Sequence, residues 1–264
     1  MARVHIIPDA SQLEASCELA REFDACFEYN DFFAPVLMDD AARYRERIQR
    51  YLALDRDRSG DTLHGAFLDV TIHSEDARIR QVSERRVQQS MDTAQELGVR
   101  GVVFHTGLIP NYCNPRYTDN WLERNEAFWT AICSEYAPTC VYLENMFDMQ
   151  PTLMRKLAER MAGVEGFGLC LDYAHARVFG GDPGSWVEQL APYVRHVHVN
   201  DNDGADDLHL AVGAGTTDWR RYDCLVREML TTPSVLVEVR ALADQRKSLE
   251  FMRVHGLYPF ARKG

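Results

Sequence analysis

The chain has 264 residues, a hydrophobic share of 46%, a charged share of 26% and a net charge of −11. That length suits one large domain with a sizeable core, and the acidic balance weighs against polyanions and anionic lipid as partners. No apolar run approaches the ~18 residues that cross a bilayer, and the seven scattered cysteines, odd in number and without a CxxC pair, do not make a disulfide framework. The first sixteen residues hold one Arg and too short an apolar stretch for a signal peptide, so a cytoplasmic protein is expected.

Eight strand-like runs recur along the chain: RVHIIP at 3–8, CFEYND at 26–31, LHGAFLDV at 63–70, GVVFHT at 101–106, CVYLENM at 140–146, FGLCLDYAH at 167–175, VRHVHVND at 194–201 and SVLVEVR at 234–240. Polar stretches with helical spacing separate them. After the third run, 76–98 sets Ile79, Val82, Val87, Met91, Ala94 and Leu97 at helical intervals and ends at Gly98, a plausible C-cap. After the fifth, 151–163 opens with Pro and closes with Gly, the asymmetry expected of a helix. Strands alternating with helices predict parallel βαβ units. Eight of them predict an α/β fold, a single-domain (β/α)8 TIM barrel over 1–264, rather than an open doubly wound sheet. No glycine-rich dinucleotide fingerprint follows the first run. Cys140 and Cys170 lie inside these runs and read as small buried hydrophobes.

A strand buried on both faces should be almost wholly apolar, and charge within it is costly unless paired or metal-bound. Charge nevertheless recurs: His64 in the third run, His105 near the end of the fourth, Glu144 near the end of the fifth, Asp172 and His175 closing the sixth, His198 the seventh and Glu238 the eighth. In a barrel those ends converge on one mouth, where barrel enzymes place their chemistry. A lone histidine at a strand end is usually a hydrogen-bonded core residue. Six consecutive runs that each deliver a carboxylate or imidazole predict a divalent-metal or catalytic site instead. Mixed histidine and carboxylate ligands suit Zn2+, Mn2+ or Fe2+ rather than Ca2+ or Mg2+, and no cysteine at a strand end suggests thiolate ligation.

The motifs GVVFHTG (101–107), YLEN (142–145), LCLDYAHARVFGGD (169–182), HVHVND (196–201), DLHLAVGAGTTDW (207–219) and VEVR (237–240) resemble those of the xylose-isomerase-like barrels, a superfamily that includes sugar phosphate isomerases/epimerases and the endonuclease IV family. The resemblance covers essentially the whole chain from the second run onward. From the epimerase branch it implies one metal held by Glu144, Asp172, His198 and Glu238, with Glu144 and Glu238 as acid and base on opposite faces of a sugar. From the endonuclease branch it implies three zinc ions: His64, His105 and Glu144 on the first; Glu144, Asp172, His198 and Glu238 on the second; His175, Asp207 and His209 on the third. The expected cofactor is therefore a divalent metal, Zn or Mn, at one to three ions per chain. The expected function is metal-dependent isomerisation or epimerisation of a small, sugar-like polyhydroxylated substrate by proton transfer next to a carbonyl. The alternative is an endonuclease IV-type multi-zinc phosphodiesterase on abasic DNA. A barrel that only binds a metal or a sugar is the third reading. Epimerases of this kind usually carry an arginine shortly after the metal histidine, where this chain has Asp207 and His209. Dimerisation through barrel helices is also what the resemblance implies.

Nucleic acid is not an expected partner, because loop 30–40 has no Lys or Arg but has Asp31, Asp39 and Asp40, and the loop after the seventh run holds Asp201, Asp203 and Asp206. Glu28 and Asn30 close the second run, where substrate contact and loop hydrogen bonding fit equally. Arg177 and Arg240 either grip an anionic group on the substrate, as His175 also could, or pair with acidic neighbours. Residues 108–129, with Tyr112, Tyr117 and Trp121, form a candidate lid, whereas Phe128 and Trp129 suit a helix core. Phe67 reads as barrel packing. His196, on the same run as His198, is expected to face away from the mouth. His5, His73 and His255 suggest no role.

Overall fold

The computed structural model describes residues 2–262. Among them, eight parallel strands close into a barrel in chain order. They are β1 (Val4–Ile6), β2 (Cys26–Tyr29), β3 (Thr62–His64), β4 (Gly101–His105), β5 (Cys140–Glu144), β6 (Phe167–Asp172), β7 (Val194–Val199) and β8 (Ser234–Val237). The helices that wrap them are α1 (Leu13–Phe23), α2 (Pro35–Met38), α3 (Ala41–Leu52), α4 (Ala77–Leu97), α5 (Pro115–Glu135), α6 (Thr152–Arg160), α7 (Tyr173–Val178), α8 (Pro183–Leu190), α9 (Trp219–Arg227) and α10 (Leu242–His255). The barrel expected from the alternation of runs is the fold observed.

Local chemistry explains the long helices. Asp76 caps α4 by accepting from the Arg78 amide, and Gly98 ends it at φ 70°, a left-handed conformation that glycine adopts freely. The buried face of α4 begins at Ser83 and Val87, while Ile79 and Val82 at its start are about half exposed. Asn114 caps α5 in the same way, with Pro115 in its first turn. Trp121 and Trp129 are buried in α5 and donate to the Thr106 carbonyl and the Asn125 side chain. Trp121 is therefore core rather than lid.

Several runs stop earlier as strands than the sequence suggests, and each stop makes a turn at the mouth. β3 leaves the ladder after Gly65, whose amide still reaches the Val103 carbonyl; the next amide, of Ala66, is taken by Ser90 Oγ. β6 ends at Asp172, which caps α7 directly through the His175 amide, at 2.6 Å. Strand-to-helix conversion without a loop puts His175 on a helix, not on a strand. The register sets His105 beside Glu144 and Asp172 beside His198. Ladder pairing thus supplies two such pairs, two residues apart in register, since Glu144 itself pairs with Cys170. The seven cysteines are free thiols, and among the described residues no helix is long and apolar enough to cross a membrane.

Candidate metal centre

Three groups of ligand atoms stand together inside the mouth, each within 4.8 Å internally: His64, His105 and Glu144; Glu144, Asp172, His198 and Glu238; and His175, Asp207 and His209. Glu144 is shared by the first two. Its Oε2 faces His105 Nε2 at 3.2 Å and His64 Nε2 at 3.5 Å, while its Oε1 faces His198 Nδ1 at 3.0 Å. Glu238 Oε2 lies 3.7 Å from the same His198 nitrogen. Asp207 Oδ2 stands between His209 Nε2, at 3.0 Å, and His175 Nε2, at 3.3 Å.

These atoms have the properties of metal ligands. Both Glu144 oxygens, Asp172 Oδ2, His198 Nδ1 and Glu238 Oε2 are buried with no hydrogen-bonding partner among the described residues. Buried carboxylate oxygens without donors are costly, and a divalent cation among them removes that cost. The ring orientations fit the same account. His64, His175 and His209 each donate through Nδ1 to a backbone carbonyl, of Gly65 (3.1 Å), Asn145 (2.9 Å) and Glu238 (2.9 Å). Each is thereby fixed as the tautomer whose Nε2 lone pair faces the centre. His209 does so from φ 47°, a left-handed backbone that costs a non-glycine residue on the order of 1 kcal/mol and clusters at functional sites.

The electrostatics point to a basin that attracts positive charge. Burial pushes Glu144 up, but the His198 and His105 imidazoles beside it hold its carboxyl well below the usual range. Burial, reinforced by the Glu238 and Glu144 charges and opposed by His175, raises Asp172 to about 8. Burial works against the charged form of His209, yet Asp207 and Glu238 raise it to about 9. Burial likewise opposes His175, and Asp172, Asp207 and Glu144 lift it well above its ordinary value. Protons and divalent cations compete for such lone pairs.

The model of the xylose isomerase-like TIM barrel family matches residues 17–255. The chain belongs to that family. Among its relatives is a probable endonuclease 4 of Mycobacterium leprae, 27% identical over 204 residues that cover 72% of this chain and 77% of that protein. A Thermus thermophilus protein, solved after soaking with zinc chloride, is 29% identical with a TM-score of 0.73 over 96% of this chain and 97% of its own. A D-tagatose 3-epimerase-like protein is 22% identical with a TM-score of 0.75 over 97% of both chains, a likeness of fold. The family match and the endonuclease relative support an enzyme here.

In this xylose isomerase-like barrel the three groups open into a cavity of about 420 Å³. Asn30 and Arg240 line it, together with Phe33, Phe67, Met146 and Leu208. Phe67 is therefore cavity wall as well as packing, its ring 4.5 Å from that of Phe33. Arg240 is exposed, and among the described residues its guanidinium has no partner. Arg177 differs: its guanidinium holds Asn202, Thr216 and Thr217, so it pins the β7–α9 loop and, among the described residues, reaches neither this cavity nor a carboxylate. Glu28 is not at the mouth either. It is fully buried beneath the centre, where it meets His196, His198 and Thr62. His196 shares its inward face with His198, contrary to expectation, because residues two apart on a strand point the same way; it lies one layer deeper. Cys170 also comes within reach of Glu144 and His198, but burial raises its thiol well above the ordinary value and keeps it neutral.

Four of the loop acids are engaged. Asp31 pairs with Arg47 and accepts from Tyr51, Asp39 pairs with Arg86, and Asp40 caps α3. Asp201 is buried, receiving the amides of Asn202, Gly213 and Thr217 and the Trp219 indole. Sequence reading also passed over Asn145. Its side chain exchanges two 2.9 Å hydrogen bonds with the Asp172 backbone, clipping the end of β5 to that of β6. The YLEN motif contained it, but nothing in the motif distinguishes this clip from a surface asparagine.

Proposed function

We propose that the protein is a multi-metal hydrolase of phosphate esters on small substrates. The observation that carries this reading is Glu144: its two oxygens face two different imidazole groups, the disposition of a bridging carboxylate, with the His175, Asp207 and His209 group complete beside it. Divalent ions bound there would polarise phosphoryl oxygens and lower the pKa of water. The donor set of histidine and carboxylate favours Zn2+ or Mn2+. The chain's own residues do the rest. Arg240, unpartnered at the cavity, holds an anionic group by charge-assisted hydrogen bonds. Phe33, Phe67, Met146 and Leu208 exclude water and cover an apolar or ring-shaped part of the substrate. Duplex DNA is disfavoured because Arg240 is the one arginine or lysine lining this cavity among the described residues, and backbone binding needs several.

A second reading has its own observation. Glu144 and Glu238 flank His198 Nδ1 at 3.0 and 3.7 Å, and with Asp172 they suffice for one metal. That arrangement suits sugar isomerisation or epimerisation with the two glutamates as acid and base.

The test is metal content by plasma mass spectrometry, followed by turnover of bis(p-nitrophenyl) phosphate, a ketohexose panel and an abasic-site duplex. About three ions per chain with phosphodiester cleavage and no duplex incision is the expected result. One ion per chain with ketose turnover alone moves the function to the second reading, and efficient duplex incision moves it to DNA.

A further inference from the structure

Of the imidazoles in the shared groups, His198 is turned the opposite way. His64, His175 and His209 face the centre with Nε2 and give Nδ1 to a backbone carbonyl. His198 presents Nδ1 to Glu144 and Glu238, and its Nε2 faces Glu28 Oε1 at 3.1 Å. Glu28 Oε1 and His198 Nε2 are both buried; at 3.1 Å they stand within ion-pair distance, and neither has a hydrogen-bonding partner of its own among the described residues.

The other side of Glu28 is fully occupied. Its Oε2 accepts from Thr62 Oγ1 at 2.6 Å and from His196 Nε2 at 3.1 Å. With Nε2 donating, His196 Nδ1 must accept, and Ser234 Oγ donates to it at 2.7 Å. Four strands, β2, β3, β7 and β8, thus contribute to one chain of donors in the barrel floor. Glu28 comes from β2, a strand that supplies none of the nine metal-facing side chains. A carboxylate at zero exposure there has no packing purpose that an apolar residue would not serve better.

We infer that Glu28 is a positioning residue: it takes the Nε2 proton of His198, fixes the tautomer that leaves the Nδ1 lone pair for metal, and is itself held in place by Thr62 and by His196 backed by Ser234. A carboxylate behind a metal-bound imidazole orients the ring and raises its basicity. This rests on the metal reading above, but not on which reaction the metal serves. Glu28, His196 and His198 could be taken as a metal group of their own; with the Thr62 hydroxyl and the His196 N–H both directed at Oε2 and His196 Nδ1 held by Ser234, only Oε1 and His198 Nε2 are left, too few to hold an ion.

The test compares wild type with Glu28→Gln in the full-length protein. Zn2+ affinity is measured by chelator competition, ion number at saturation by mass spectrometry, and folding by circular dichroism. The expected result is a folded variant with the wild-type number of ions at saturation and an affinity for one of them lowered about 10- to 100-fold. Unchanged affinity overturns the inference, as does loss of one ion at saturating Zn2+, which would make Glu28 a ligand. Should the variant not fold, the wild-type protein answers alone. In its Zn2+ form, 15N shifts of the His198 ring should show a protonated Nε2 and a metal-bound Nδ1; the reverse assignment overturns the inference. Wild type that binds no Zn2+ would sink the metal reading itself, an outcome distinct from a metal-binding wild type that the variant matches.

Discussion

The same residue type meets two fates in this barrel. In the floor of the mouth, Glu144, Asp172 and Glu238 present buried oxygens to which no donor is directed. In the loops above, Asp201 receives four donors, and Asp39 is an exposed partner of Arg86. The difference is topological. Strand ends of a closed parallel barrel converge, so their side chains face one another across a space too crowded with acceptors to be satisfied by protein donors. Loop acids sit next to free amides and the arginines of α3 and α4. What sets the centre apart is therefore several donor-less oxygens facing one another, not a single one such as Asp31 Oδ1 and not the presence of a charge.

The contrast can be broken most severely at Glu144. Glu144→Gln should lose the shared ligand and cut metal-dependent turnover about a thousandfold, the several kcal/mol a metal contributes to a transition state; steady-state kinetics checks it. Stripping the metal should also destabilise the fold. With free metal at a thousand times its Kd, binding contributes about 4 kcal/mol, so excess chelator should lower Tm by roughly 10 °C in calorimetry.

Acidity sharpens the comparison. His209, raised to about 9, carries a proton that an ion must displace, so affinity at that group should fall as pH drops below 9, by up to about tenfold per unit. Chelator competition at pH 6.5, 7.5 and 8.5 reads it. The chelated protein has the opposite sign: the stability contributed by protonated His209 beside Asp207 is complete below 6.5 and is lost as pH rises through 9. A Tm of the chelated form that is flat or rising across that window would contradict the assignment.

At the loop acids the effects should be structural or nil. Asp201→Ala should cost about 2 kcal/mol in urea unfolding by leaving buried donors unpaired, with the ions of the first two groups retained. Asp39→Asn, at an exposed pair, should change neither Tm nor metal content. A loss of metal from Asp39→Asn would mean that the rim and the centre are coupled after all.

Much of this was legible in the amino-acid order. Strand periodicity and caps such as Gly98 define the eight βα units, because local backbone preference and burial decide them. Charges at the ends of apolar runs pick out His105, Glu144, Asp172, His198 and Glu238, because charge inside a buried strand demands a reason. The orientation of each side chain was not legible. Arg177 and Arg240 look alike in sequence, and only the path of the β7–α9 loop occupies one and leaves the other without a partner among the described residues. Glu28 reads as a residue of the mouth, yet β2 ends low enough in the barrel to set it beneath His198. Composition and periodicity determine which residues are buried; which buried nitrogen faces which oxygen depends on strand register and closure, which bring together residues as far apart as Glu28 and Ser234.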